Sequence, residues 1–143
     1  MFTPWIFLFL ILATTAGAFA WNFFRCRQRE QSLEELARQW QMHYSSRDVF
    51  NLAPRVASRL PVAGAADVRV CDLIYGNEAA GHRYIFVTQF TVGVVRSKSR
   101  RQVVATLLEP RDRNDATIWA SLRFAPADLP LVEQYRELKK NAE

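Results

Sequence analysis

The side chains able to do chemistry are few and dispersed. The chain has two histidines, His43 and His82, and neither belongs to a Ser/Cys–His–acid pattern. A nucleophile needs a base beside it and a third group to orient that base. No HExxH, GxSxG, Walker or GxGxxG sequence occurs. The carboxylates Asp67, Asp72, Glu78, Glu109, Asp112 and Asp115 are scattered. Asp72 stands apart because it interrupts the strand-like run Val68–Tyr75. A half-buried carboxyl there suits a structural partner, with a hydrolase pairing to His43 or His82 as the competing reading. The two cysteines, Cys26 and Cys71, lack metal-type spacing and suggest no disulfide framework. Cys71 is expected to be buried and Cys26 to sit at a membrane edge. The sequence therefore assigns no catalytic, cofactor-binding or metal-binding residue, and no cofactor.

Charge is more informative. Lys plus Arg number 19 against 14 Asp plus Glu, a net charge of +5. The densest cluster is Arg96-Ser97-Lys98-Ser99-Arg100-Arg101, read as a basic hairpin tip. Arg96, Lys98, Arg100 and Arg101 suit anionic lipid headgroups or an acidic protein partner, against the plainer reading of a solvated turn. No aromatic is interleaved for base stacking, so nucleic acid is not the expected partner. Arg25, Arg27 and Arg29 form a second basic group.

That second group closes an uncharged run from Trp5 to Phe24. A helix needs about 20 apolar residues to cross a bilayer's hydrocarbon core, and this run has that length. Trp5 and Phe7 mark one end and Trp21, Phe23 and Phe24 the other, as in an aromatic belt. Thr14 and Thr15 are tolerable in lipid if they bond back to carbonyls one turn earlier. Basic residues stay on the cytoplasmic side, so the arginines predict a span over residues 5–24 with a cytoplasmic C-terminal domain. Ala18-Phe19-Ala20 supplies the alternative, a cleaved signal peptide and a periplasmic or secreted domain. Residues 1–4 then form a short tail and residues 25–31 a basic connector.

Residues 32–143 are long enough for one domain with its own core. Ser32-Leu33-Glu34-Glu35 has the capping-box form. Leu33, Leu36, Ala37, Trp40 and Tyr44 follow on one helical stripe. Asn51 is expected to cap a short helix with Pro54 in its first turn and Val56, Ala57 and Leu60 inward. Four strands are expected next: Val68–Tyr75 with a bulge at Asp72, Tyr84–Val92 at the sheet centre, Gln102–Leu108, and Thr117–Phe124. Gly76 to His82 reads as a turn. Asp128 is expected to cap a last helix carrying Leu131, Tyr135 and Leu138 inward and Lys139 and Lys140 at its end.

This layout resembles small single-span bacterial membrane proteins of unknown function. Phe50-Asn51-Leu52, Tyr84 to Thr91 and Gln102 to Ala105 carry the resemblance. These are packing motifs, and the resemblance implies no activity and no functional residues. The sequence thus predicts an α+β protein: a transmembrane helix, then amphipathic helices on one face of a four-stranded antiparallel meander, and a C-terminal helix. Its expected role is a membrane-anchored, non-enzymatic interaction domain. A lipid-binding or apolar-ligand domain, exposing Phe86, Phe90 or Trp119 to a pocket between sheet and helix, is the alternative.

Overall fold

A computed structural model describes residues 3–93, 99–111 and 115–141. The chain divides into two compact units, Met1–Ser32 and Leu33–Glu143. Residues 4–32 of the first belong to α1, which covers Pro4–Gln39. Arg25 to Gln31, expected as a connector, is therefore helical, since nothing there breaks a helix. The large side chains from Trp5 to Phe24 are exposed. Their helix is long and apolar enough to cross a membrane, a test that a signal sequence near an N-terminus also passes. Thr14 Oγ1 donates to the Leu10 carbonyl at 2.9 Å and Thr15 Oγ1 to that of Ile11 at 2.8 Å. Both hydroxyls are thus satisfied within the helix, as lipid requires.

The second unit is an antiparallel sheet of five strands in the order β1-β2-β3-β4-β5, one more than the sequence predicts. They are β1 (His43–Ser45), β2 (Ala66–Glu78), β3 (Gly81–Val92), β4 (Ser99–Pro110) and β5 (Arg123–Phe124). The helices are the end of α1, α2 (Leu52–Ala57), α3 (Asp115–Ala120) and α4 (Leu131–Lys140). β3 is central, as its two apolar faces predict.

The additional strand is β1. α1 stops before it because Gln41 takes φ 56. The Gln41 N–H then bonds the Arg38 carbonyl and Met42 N–H the Ala37 carbonyl, at 3.1 and 2.8 Å. That pair of bonds is the Schellman C-cap, made here without glycine. Tyr44 consequently lies in β1, not on the helical stripe, and His43 pairs with Tyr75 across the sheet.

The second correction concerns Thr117–Phe124. The part from Asp115 to Ala120 is α3, and only Arg123–Phe124 is strand. Gly76 to Glu78 belong to β2 and Gly81 and His82 to β3, so the turn shrinks to Ala79-Ala80. Gly81 sits at φ +151, and a Cβ there would lie 2.2 Å from the Glu109 carbonyl oxygen. Asn51 lies at the α2 N-terminus but makes no side-chain cap. Asp48 does so instead, accepting from Leu52 N–H at 2.8 Å and Ala53 N–H at 2.9 Å. Ala57, expected inward, is exposed. α4 begins at Leu131 after Pro130, again without a side-chain cap, so Asp128 does not fill that role.

Both faces of the sheet are covered, not one. Leu33, Leu36 and Ala37 of α1 and Tyr135 and Leu138 of α4 pack on Ile74, Ile85, Val87 and Val104. Leu52, Val56 and Ile118, from α2 and α3, pack on Leu73, Tyr84, Phe86, Ala105 and Leu107. The bulge at Asp72 makes this double face possible. Asp72 takes φ 51, and the β2–β3 register shifts between Cys71 and Ile74. The shift keeps Leu73 in phase with Val70 on one face and puts Ile74 with Ile85 on the other. In an unbroken strand Asp72 itself would have entered a core.

Candidate functional site

The basic cluster lands on a sheet edge. β4 pairs with β3 from Ser99↔Val92 to Gly81↔Pro110 without a register shift. On its other side β5 pairs only with Ala105 and Thr106. In an antiparallel strand alternate residues turn both N–H and C=O to the same neighbour. The Val104 carbonyl accepts from Ala125 N–H at 2.9 Å, on the β5 side. Leu108 N–H donates to Ser121 Oγ at 3.0 Å, on that same side. Even-numbered residues of β4 therefore face outward. Arg100 and Gln102 present their backbone groups to solvent, and among the described residues no backbone bond outside the β3 ladder reaches them.

The opposite edge is different. β1 covers only Leu73 to Tyr75 of β2. The remainder of β2 carries shifts at Ala66/Arg69 and Cys71/Ile74, with Asp67 and Asp72 left-handed. Bulges of that kind twist an edge away from regular pairing. Of the two edges, the one at Ser99–Val103 is straight.

Its charge is uneven. Arg100 Nη2 donates to Gln89 Oε1 at 3.0 Å, and its Nη1 lies 3.9 Å from Asp67 Oδ2. Arg69 Nε is 3.5 Å from the same carboxylate. Arg101 is exposed and stands opposite Phe90. Arg69 and Arg100 thus share one aspartate, with Arg101 exposed beside Arg100 on β4. Arg96 and Lys98 lie outside the described residues, and Ser99 to Arg101 are strand, not the hairpin tip expected. On α1, Arg25 and Arg27 are exposed and Arg29 is half-buried. Arg27 also stacks over the Phe23 ring, 5.7 Å from its centroid.

Asp72, the carboxylate weighed with His43 or His82, meets a tyrosine in the structure. The Asp72 carboxylate accepts from Tyr44 Oη at 2.8 Å. His82 Nδ1 lies 2.6 Å from Asn77 Oδ1. His82 borders an open groove of about 570 Å3 with Phe50, Tyr84 and Glu109. Tyr84 Oη donates to Glu109 Oε2 at 3.1 Å. Burial first, and the Glu109 charge second, push the Tyr84 phenol up to about 12. It is a locked donor at neutral pH. Phe50 meets Tyr75 and Tyr84 edge-on at 4.8 and 5.1 Å. These rings fill one another's space, which makes the groove wall a packed cluster.

A third feature escaped the sequence reading. Arg83 is 5% exposed on the central strand. Its Nη1 donates to Thr106 Oγ1 at 3.2 Å. Its Nε lies 2.8 Å from Glu78 Oε2, an ion pair without a well-aligned hydrogen bond. Lys139 Nζ holds the other Glu78 oxygen at 2.6 Å. Burial raises the Glu78 carboxyl, but the bonds and charges of Lys139 and Arg83 outweigh it and hold the group below its ordinary value. The signal was present in the sequence: Arg83 is in phase with Ile85 and Val87.

Phe86 and Phe90 are buried in the core, and Trp119 is half-buried under the Arg59 guanidinium at 4.8 Å. Cys71 is half-buried and Cys26 exposed. Among the described residues no group of three or more His, Cys, Asp or Glu is placed to hold a metal ion. No family model, curated protein or solved structure matches this chain.

Proposed function

We propose that this chain is a membrane-anchored, non-enzymatic interaction domain, and that the edge of β4 receives an extended acidic segment of a partner protein. The carrying observation is the straight, open edge at Ser99–Val103, with Arg100 and Gln102 facing outward. An extended segment adding there gains main-chain hydrogen bonds, while side chains at alternate positions set specificity. Arg69, Arg100 and Arg101 outnumber Asp67 nearby, which favours a negative partner and disfavours a second copy of the same edge. The apolar half of α1 is the anchor, and Arg25, Arg27 and Arg29 favour a cytoplasmic domain with anionic headgroups beside it.

The test places a photocrosslinking side chain at Ser99 in the full chain, in native membranes. Gln102→Pro is the companion variant. It deletes an outward N–H while leaving the β3 ladder whole, the position where an edge strand tolerates proline. The expected result is one discrete adduct to an acidic segment, with a yield about fivefold lower in the proline variant. No adduct, or one indifferent to the proline, contradicts the reading.

A further inference from the structure

The buried Arg83 borders a second cavity, of about 370 Å3, between β3, β4, β5 and α4. Its polar wall is Arg83, Thr106, Ser121, Arg123 and Asn141, and its apolar wall is Leu108, Phe124 and Leu138. Among the described residues no acidic side chain lines it. Two carboxylates engage the wall: Glu78, which Arg83 divides with Lys139, and Glu137, which accepts from Asn141 Nδ2 at 3.3 Å. Arg83 and Lys139 are thus two cations on the one Glu78 carboxylate. Arg123 adds another, with its Nη1 seated on the Ala120 and Leu122 carbonyls at 2.8 and 3.1 Å. Removing a guanidinium from water is costly unless its charge is balanced. Arg83 is 5% exposed and shares its counter-ion Glu78 with Lys139.

From this we infer that the cavity is a binding site for a small organic anion, a carboxylate or phosphate carried on a short apolar body. The oxyanion meets Arg83 and Arg123, whose planar donors suit two-oxygen groups. The body lies on Leu108, Phe124 and Leu138. A volume of about 370 Å3 falls in the range of ordinary small-molecule sites. Thr106 Oγ1 donates to the Tyr84 carbonyl at 3.1 Å while accepting from Arg83, so it fixes the guanidinium's plane before any ligand arrives. This inference does not rest on the β4 edge or on membrane orientation.

The test uses the full chain in zwitterionic nanodiscs, with hexanoate, phenyl phosphate and the neutral control hexanol. At least one anion is expected to raise the melting temperature by about 3 °C at roughly 10 mM, by mass action on the folded state. Hexanol is expected to do nothing, and the anion is expected to shift the Leu138 methyl resonances. Arg123→Gln is expected to abolish the rise while leaving the Arg83–Glu78–Lys139 group in place. Arg83→Lys, which keeps the charge but loses the fork, is expected to weaken it about tenfold. The inference is overturned if neither anion raises the melting temperature, if hexanol acts equally, or if the rise survives Arg123→Gln unchanged.

Discussion

Tyr135 donates its phenol proton to the backbone carbonyl of Asp72, tying α4 to the bulge in β2. The bulge takes Asp72 out of the regular ladder, and the buried tyrosine bonds its carbonyl. From β1, Tyr44 bonds the carboxylate of the same residue. One irregular position is thus held by two tyrosines from separate elements. Tyr135→Phe keeps the packing but strips a buried carbonyl of a donor. It is expected to cost about 1 to 3 kcal/mol in denaturant unfolding, with little change in m-value.

Acid should weaken the fold through Glu78. Its carboxyl is held below the ordinary 4.5 when folded. A depressed carboxyl contributes stability above its unfolded value and loses it as pH falls through the folded one. Stability is therefore expected to be flat above pH 4.5 and to decline below it. Glu78→Gln should flatten that decline, as measured by unfolding midpoints across the acid range.

Alkali should weaken it through Tyr84. The folded phenol sits at about 12 against an ordinary 10.0. The unfolded chain releases its proton first, so stability is full below pH 10.0 and falls from there toward pH 12. Tyr84→Phe is expected to remove that alkaline slope. Ultraviolet titration of the phenolates should show one fewer late-titrating tyrosine in the variant than in the wild type.

The alternation along β4 gives a paired prediction. Gln102 turns its N–H outward, whereas Val103 turns its N–H into the β3 ladder opposite Thr88. Gln102→Pro is expected to cost less than about 1 kcal/mol, and Val103→Pro about 3 kcal/mol or more. Similar losses for both would mean that the phase of β4 is misassigned.

Much of this architecture is legible in the residues. Tyr84 to Val92 is apolar on both faces, and it lies at the sheet centre between β2 and β4. Asp72 breaks the alternation of its strand, and a bulge is found there. The failures share a cause, which is that short segments satisfy two periods at once. Ile118 and Leu122 alternate with polar neighbours, yet they also stand four apart, as on a helix. The contact that decides is remote: Ser121 Oγ accepts from Leu108 N–H, supplying to the edge of β4 what a strand partner would. The end of α1 was hidden because Gln41, not glycine, takes the left-handed cap. Of the site, the basic residues were legible but the edge was not. That edge exists because β5 is two residues long.

The most direct measurement is amide hydrogen exchange at Arg100 and Gln102, comparing the purified full chain in plain bilayers with the same chain in native membranes. In plain bilayers both amides should exchange fast, while Arg101 and Val103 are protected by β3. In native membranes a docked segment should slow Arg100 and Gln102 by about tenfold or more. Equal rates in the two preparations would show that nothing pairs with this edge, and the interaction-domain account would fail there.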